Sequence, residues 1–159
     1  MSSRDWTAAR NLFSLSPLAR TSLFRWADFI LPSTLQLSPL LEILLEPVGC
    51  LETTSRLQLG LQEALVNAVR HGNDSDPAKN LRIRRILTPN WLIWQIQDEG
   101  NGMPDQARLG SLPEELDAND GRGLFLIHQC FDDIRWSRKG NRLQLACRRP
   151  ETLNRLTPA

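Results

Sequence analysis

The chain has 159 residues, 41% hydrophobic and 23% charged, with 19 basic residues against 18 acidic ones. That length and balance suit one well-filled domain, and the near-neutral charge leaves no long-range field to recruit nucleic acid or an anionic membrane. Cys50, Cys130 and Cys147 are odd in number and far apart, and with His71 and His128 they give neither a disulfide framework nor transition-metal spacing.

Residues 1–21 mix Ser, Arg and apolar groups without a sustained period and read as an N-terminal arm. They lack a basic head followed by an apolar stretch, and no segment of the chain holds 18 consecutive apolar residues, so a cytoplasmic location is expected. Leu23–Leu31, closed by Pro32, predicts a first strand. Ser38 as N-cap with Pro39 at the first helical position predicts a helix to Leu45, stopped by Pro47 and Gly49. A second helix from about Ser55 to His71 follows from the helical recurrence of Leu57, Leu61, Ala64, Leu65 and Ala68, with Gly72-Asn73 as its stop. Leu81–Leu87 and Trp91–Gln97 flank Thr88-Pro89-Asn90 as a hairpin. Gly100–Gly123 is glycine-rich and aperiodic and reads as a long loop. Leu124–Phe131 resumes a helical pattern, and Ile134–Ser137 with Leu143–Cys147 predicts a last hairpin before a tail at 150–159. These elements imply an α+β domain over 22–149: a two-layer sandwich, its mixed, mostly antiparallel sheet covered by helices on one face.

Three short texts carry chemistry. On the second helix Glu63, Asn67 and His71 recur every four residues, so each step advances about 40° and the three form one polar stripe beside the apolar one. Alone, such a stripe is the solvated flank of an amphipathic helix. Asp98-Glu99-Gly100-Asn101-Gly102 follows an apolar strand directly. It sets an acceptor-only carboxylate at a strand end, with Gly100 and Gly102 free to turn tightly, although an Asp-Gly turn without a ligand reads the same way. Gly121-Arg122-Gly123-Leu124 opens a helix, where main-chain amides and the helix dipole favour phosphate.

In this order the three texts resemble the GHKL superfamily, the Bergerat-fold group that includes gyrases and histidine kinases. The strings Glu63-Ala64-Leu65-Val66-Asn67-Ala68-Val69-Arg70-His71-Gly72 and Gly121–Ile127 look most like the anti-sigma-factor serine kinases. The resemblance implies ATP and Mg²⁺ as cofactors, with Glu63 as general base, Asn67 as the Mg²⁺ ligand and Asp98 as the reader of the adenine amine. It puts Gly100 and Gly102 beneath the base and Gly121, Arg122, Gly123 and Leu124 at the phosphates, with a lid over 103–120 that Met103 begins. His71 matches the family text, and a helix-terminal histidine satisfying the last carbonyls is the alternative. His128 reads as structural.

Two departures stand out. Relatives carry a basic residue just before the second glycine pair, where this chain has Asn119 and Asp120, with Arg122 or Arg108 as candidate substitutes. Relatives carry Thr in the last hairpin, where this chain has Asn141 and Arg142. The implied function is a serine/threonine protein kinase whose partners are an anti-sigma-factor antagonist and a sigma factor, with no direct nucleic-acid or membrane contact and a homodimer allowed. The alternative is a regulator that sequesters a partner without phosphotransfer. The arginines Arg82, Arg84, Arg85, Arg138, Arg142, Arg148 and Arg149 are either a docking face or the solvated side of a sheet.

Overall fold

The structure, a computed structural model, describes residues 25–109 and 122–149. The arm and tail, Gly121 and most of the lid lie outside that range. The elements run β1 (Arg25–Pro32), α1 (Ser38–Leu45), α2 (Leu51–Asn67), β2 (Asn80–Leu87), β3 (Trp91–Gln97), α3 (Arg122–Cys130), β4 (Asp133–Trp136) and β5 (Arg142–Arg148). The strands form one sheet in the order β1-β2-β3-β5-β4. All four pairings are antiparallel, so the expected mixed sheet holds only antiparallel pairs among the described residues.

Strand alternation explains why helices cover one face. The cross-strand rows Phe29–Ile83–Ile96–Leu143 and Leu87–Leu92–Cys147 all point to one side. There they meet Leu41, Leu44, Leu57, Leu61, Leu65 and Ile127 of the helices in one core. Trp94 is fully buried at its centre, donating from Nε1 to Leu44 O at 3.1 Å and meeting Phe131 edge-on at 6.0 Å. α2 packs tightly on the end of α3 at Gly60, where a Cβ would lie 2.6 Å from Cys130 Cβ and from the Phe131 ring.

Several expected boundaries shift for local reasons. Ser38 lies inside α1 rather than capping it, because Leu37 already has helical dihedrals and no side-chain cap bond forms. α2 starts one turn before Ser55, from extended Cys50, and closes as a five-residue π-turn, Ala68–Gly72. Within the predicted loop, Asp105–Leu109 winds into a 3₁₀ turn, and α3 begins at Arg122 rather than Leu124. Arg85 faces the helices, where it donates to Ile43 O and lies 3.8 Å from Glu46, and so leaves the proposed arginine face.

Candidate functional site

A cavity of about 370 Å³ opens between α2, the end of β3 and the β4–β5 hairpin, large enough for a purine nucleoside. Its floor is Ala64 and Ala68 of α2 with Ile96 and Leu143 of the sheet. Asn67, His71, Asp98, Gly102 and Met103 line it together with Asp74, Asn101, Pro104, Trp136 and Gly140.

The base end is built by the π-turn. Widening the last turn of α2 drops Gly72 against Asp98, so closely that a Cβ on Gly72 would meet the carboxylate, with Oδ2 at 2.5 Å. Gly100 packs on Gly72 O in turn, and its N–H donates to Asp98 Oδ1 at 2.8 Å. Asp98 Oδ2 has no donor among the described residues. Burial raises the Asp98 pKa above the ordinary carboxylate value, and the Gly100 N–H and nearby Lys139 and Lys79 only partly offset it. Asn141 grips the same residue by its main chain: its carbonyl accepts from Asp98 N–H at 3.0 Å and its Nδ2 donates to Asp98 O at 3.1 Å. Asn141 therefore orients the aspartate's backbone rather than standing in for the relatives' threonine at the base.

Asn73, read in the sequence only as a stop signal, is a hub. It is fully buried, its Nδ2 donates to Asn80 O at 3.0 Å, and its Oδ1 accepts from Glu99 N–H at 2.8 Å. One side chain thus joins the end of α2 to the start of β2 and to the loop after Asp98. The turn beyond it holds Asp74 and Ser75 at φ of 55° and 56°, a strained left-handed pair of non-glycine residues beside the cavity.

The other end is looser. Gly123, in the first turn of α3, sits over α2 so that a Cβ would lie 2.9 Å from Glu63 Oε2 and 3.4 Å from Asn67 Nδ2. Glu63, Asn67 and Gly123 are therefore brought together, but neither side chain has a hydrogen bond among the described residues. Leu124 packs against the core, so only its main chain can face a phosphate. Arg122 opens α3. His71 is exposed on the cavity wall, and its ring makes no hydrogen bond to the last helical carbonyls among the described residues, so the capping alternative is not realised. His128 Nε2 lies 3.3 Å from Arg108 O.

Arg108 belongs to the base end and does not replace the missing phosphate-side cation. Its Nε donates to Met103 O at 2.7 Å, its Nη1 pairs with Asp105 at 2.5 Å, and its guanidinium lies 5.9 Å from the Trp136 ring centroid. Together with the Met103 N–H to Gly140 O bond of 3.0 Å, it bolts the first residues of the lid to the β4–β5 hairpin. Trp136 forms the wall beneath it, with a buried Nε1 that has no partner among the described residues. In the sequence a tryptophan at this strand position reads as core, so no signal marked it.

Among the described residues no group of three or more acidic, His or Cys side chains could hold a metal. A hard cation here would need a ligand's own oxygens beside the Asn67 amide oxygen, the arrangement expected for Mg²⁺ on a triphosphate. No helix among the described residues is long and apolar enough to cross a membrane. Residues 40–147 match the histidine kinase-like ATPase domain family. A search of curated proteins finds no match.

Proposed function

This chain belongs to the histidine kinase-like ATPase domain family, and we propose that within it the chain is a serine/threonine kinase of the anti-sigma type. It acts in the cytoplasm, passing the terminal phosphoryl group of ATP to a serine of an antagonist protein and switching between that antagonist and a sigma factor with nucleotide state. The observation that carries this reading is Gly123 seated over the Glu63 and Asn67 side chains, with Asn67 lining the same cavity as Asp98 although Glu63 and Gly123 do not. A carboxylate beside a phosphate-binding helix start, and a second one at the base end, are what base-selective phosphoryl transfer requires.

Asp98 Oδ2 accepts from the exocyclic amine of adenine, whereas the carbonyl of guanine at that place would be repelled. Asn67 would hold Mg²⁺ through its amide oxygen, and the ion when bound would neutralise charge on the phosphates. Glu63 takes the proton of the serine hydroxyl as that oxygen bonds to the γ-phosphorus, the bond to the bridging oxygen breaks, and ADP leaves.

Sequestration without phosphotransfer is favoured by one specific feature. Arg108 is committed to Met103, Asp105 and Trp136 at the base end, so it cannot steady the terminal phosphate. Calorimetry with ATP and GTP, with and without Mg²⁺, on the native chain and Asp98→Asn tests the site. Mg²⁺-dependent preference for ATP that Asp98→Asn erases is expected, and equal affinity for both nucleotides would refute it. Transfer of labelled phosphate to an antagonist, lost in Glu63→Ala, separates kinase from sequestering protein.

A further inference from the structure

The face of the sheet away from the helices is asymmetric in charge and chemistry. By register, Arg82, Gln97 and Arg142 stand in one transverse row across β2, β3 and β5, and Arg84 and Gln95 stand in the next. Together they line a shallow saddle of about 70 Å³. Asp28 is its one carboxylate neighbour among the described residues, and it is largely committed to Arg84, with contacts of 2.6 and 2.9 Å against 3.7 Å to Arg82. Arg142 has no carboxylate within ion-pair distance among the described residues, and the saddle keeps a positive surplus on a chain whose net charge is only +1.

Beside the saddle, Trp26 and Ile30 of β1 point to the same open face and are 66% and 68% exposed, with the Arg84 guanidinium 5.5 Å from the Trp26 ring centroid. Exposed tryptophan, isoleucine and arginine without lysine is the composition of a protein-binding patch rather than of a plain solvated surface.

Charge selects the occupant. Residues 1–24 carry Arg4, Arg10 and Arg20 against Asp5, a charge that does not complement the saddle. A second copy applying the same face would set arginine on arginine. Nucleic acid would leave the exposed Ile30 side chain without an apolar partner. We propose that the open sheet face is a docking surface for an acidic protein segment, seating carboxylates between Arg82 and Arg142 over Gln97 and an apolar side chain against Trp26 and Ile30. This stands apart from the nucleotide reading, since the face lies on the opposite side of the sheet from the cavity.

The test is a titration of the isotope-labelled full chain with poly-L-glutamate, with a twelve-residue oligothymidylate as the competing polyanion. Expected are shifts at Arg82, Gln95, Gln97, Arg142 and the Trp26 indole, and affinity weakened at least tenfold in Arg82→Glu/Arg142→Glu. Arg82→Gln/Arg142→Gln, which adds no repulsion, should weaken it by a smaller but clear factor. The control Arg25→Glu/Arg70→Glu, with the same charge change on the helix side of the sheet, should stay within twofold. Equal loss in both glutamate pairs, shifts elsewhere, or tighter binding of the oligonucleotide would overturn the proposal. So would self-association abolished by Arg82→Glu/Arg142→Glu without glutamate binding, which would assign the face to a second copy.

Discussion

The two ends of the cavity are built differently. At the base end Asp98 is held from every side: Gly100 N–H on Oδ1, Asn141 on its main-chain N–H and C=O, Gly72 against its carboxylate, and Asn73 on the next peptide. At the phosphate end Glu63 and Asn67 pack close to Gly123, but neither side chain makes a hydrogen bond among the described residues. A preformed site pays its ordering cost during folding, whereas groups that are free before binding are ordered by the ligand. The base end should therefore govern base selectivity and stability together, and the phosphate end should supply the Mg²⁺-dependent part of affinity and, through Glu63, the chemistry.

The largest expected effect separates the two. Glu63→Gln keeps size and shape, and should lower phosphate transfer about 10²–10⁴-fold, the usual contribution of a general base. ATP affinity and melting temperature should hardly move. A comparable loss of affinity would mean that Glu63 shapes the ground-state site and that the division between the ends is wrong.

Asn73→Ala attacks the base end from beneath, without touching the cavity wall. It strips the partners from Glu99 N–H and Asn80 O, two part-buried bonds, and each main-chain group left unpaired costs up to about 3 kcal/mol. Denaturant unfolding should show that loss, and ATP binding should weaken with it because the Asp98 loop loses its tether. Gly72→Ala is smaller in stability, about 1–3 kcal/mol for an overpacked contact. Its affinity loss should be at least about tenfold, or 1.4 kcal/mol, because the new methyl displaces the carboxylate that reads the base. Calorimetry with ATP decides it, and unchanged binding would show that Asp98 has room to retreat.

The same division governs how much the sequence could tell. The fold was legible because β2, β3 and β5 are short apolar runs bounded by turn signals while apolar residues recur at helical spacing in α2, and run length and period choose the element type. Asp98, Gly102, Asn67 and His71 were legible because they sit at fixed offsets inside contiguous motifs. Asn73, Asn141 and Trp136 were not, since their roles come from partners between 7 and 43 positions away or from a wall made by another strand. The π-turn was equally hidden, because Ala68–Gly72 has no residue type that distinguishes a widened turn from an ordinary helix end. Arg108 misled for the same reason: its sequence position suggests a lid cation, and only the folded hairpin shows what it grips.

The smallest effect concerns protons. Burial raises the pKa of Asp98 in the folded chain above its unfolded value of 3.8, so the native state binds a proton more readily than the unfolded one. Ionising Asp98 therefore costs stability as pH rises through the raised pKa, and protonation on acidification returns it, the reverse of a salt-bridged carboxylate. Nucleotide affinity should run the other way, because protonated Asp98 offers the adenine amine a poorer acceptor. ATP binding should thus weaken on acidification at a pH above the ordinary carboxylate range, while Asp98→Asn, weaker throughout, should show a flat profile there. Calorimetric titrations between about pH 4 and 7 would follow both. A decline confined to the ordinary carboxylate range would mean that the Gly100 N–H offsets the burial of Asp98 completely, and that the base end is less dry than its packing implies.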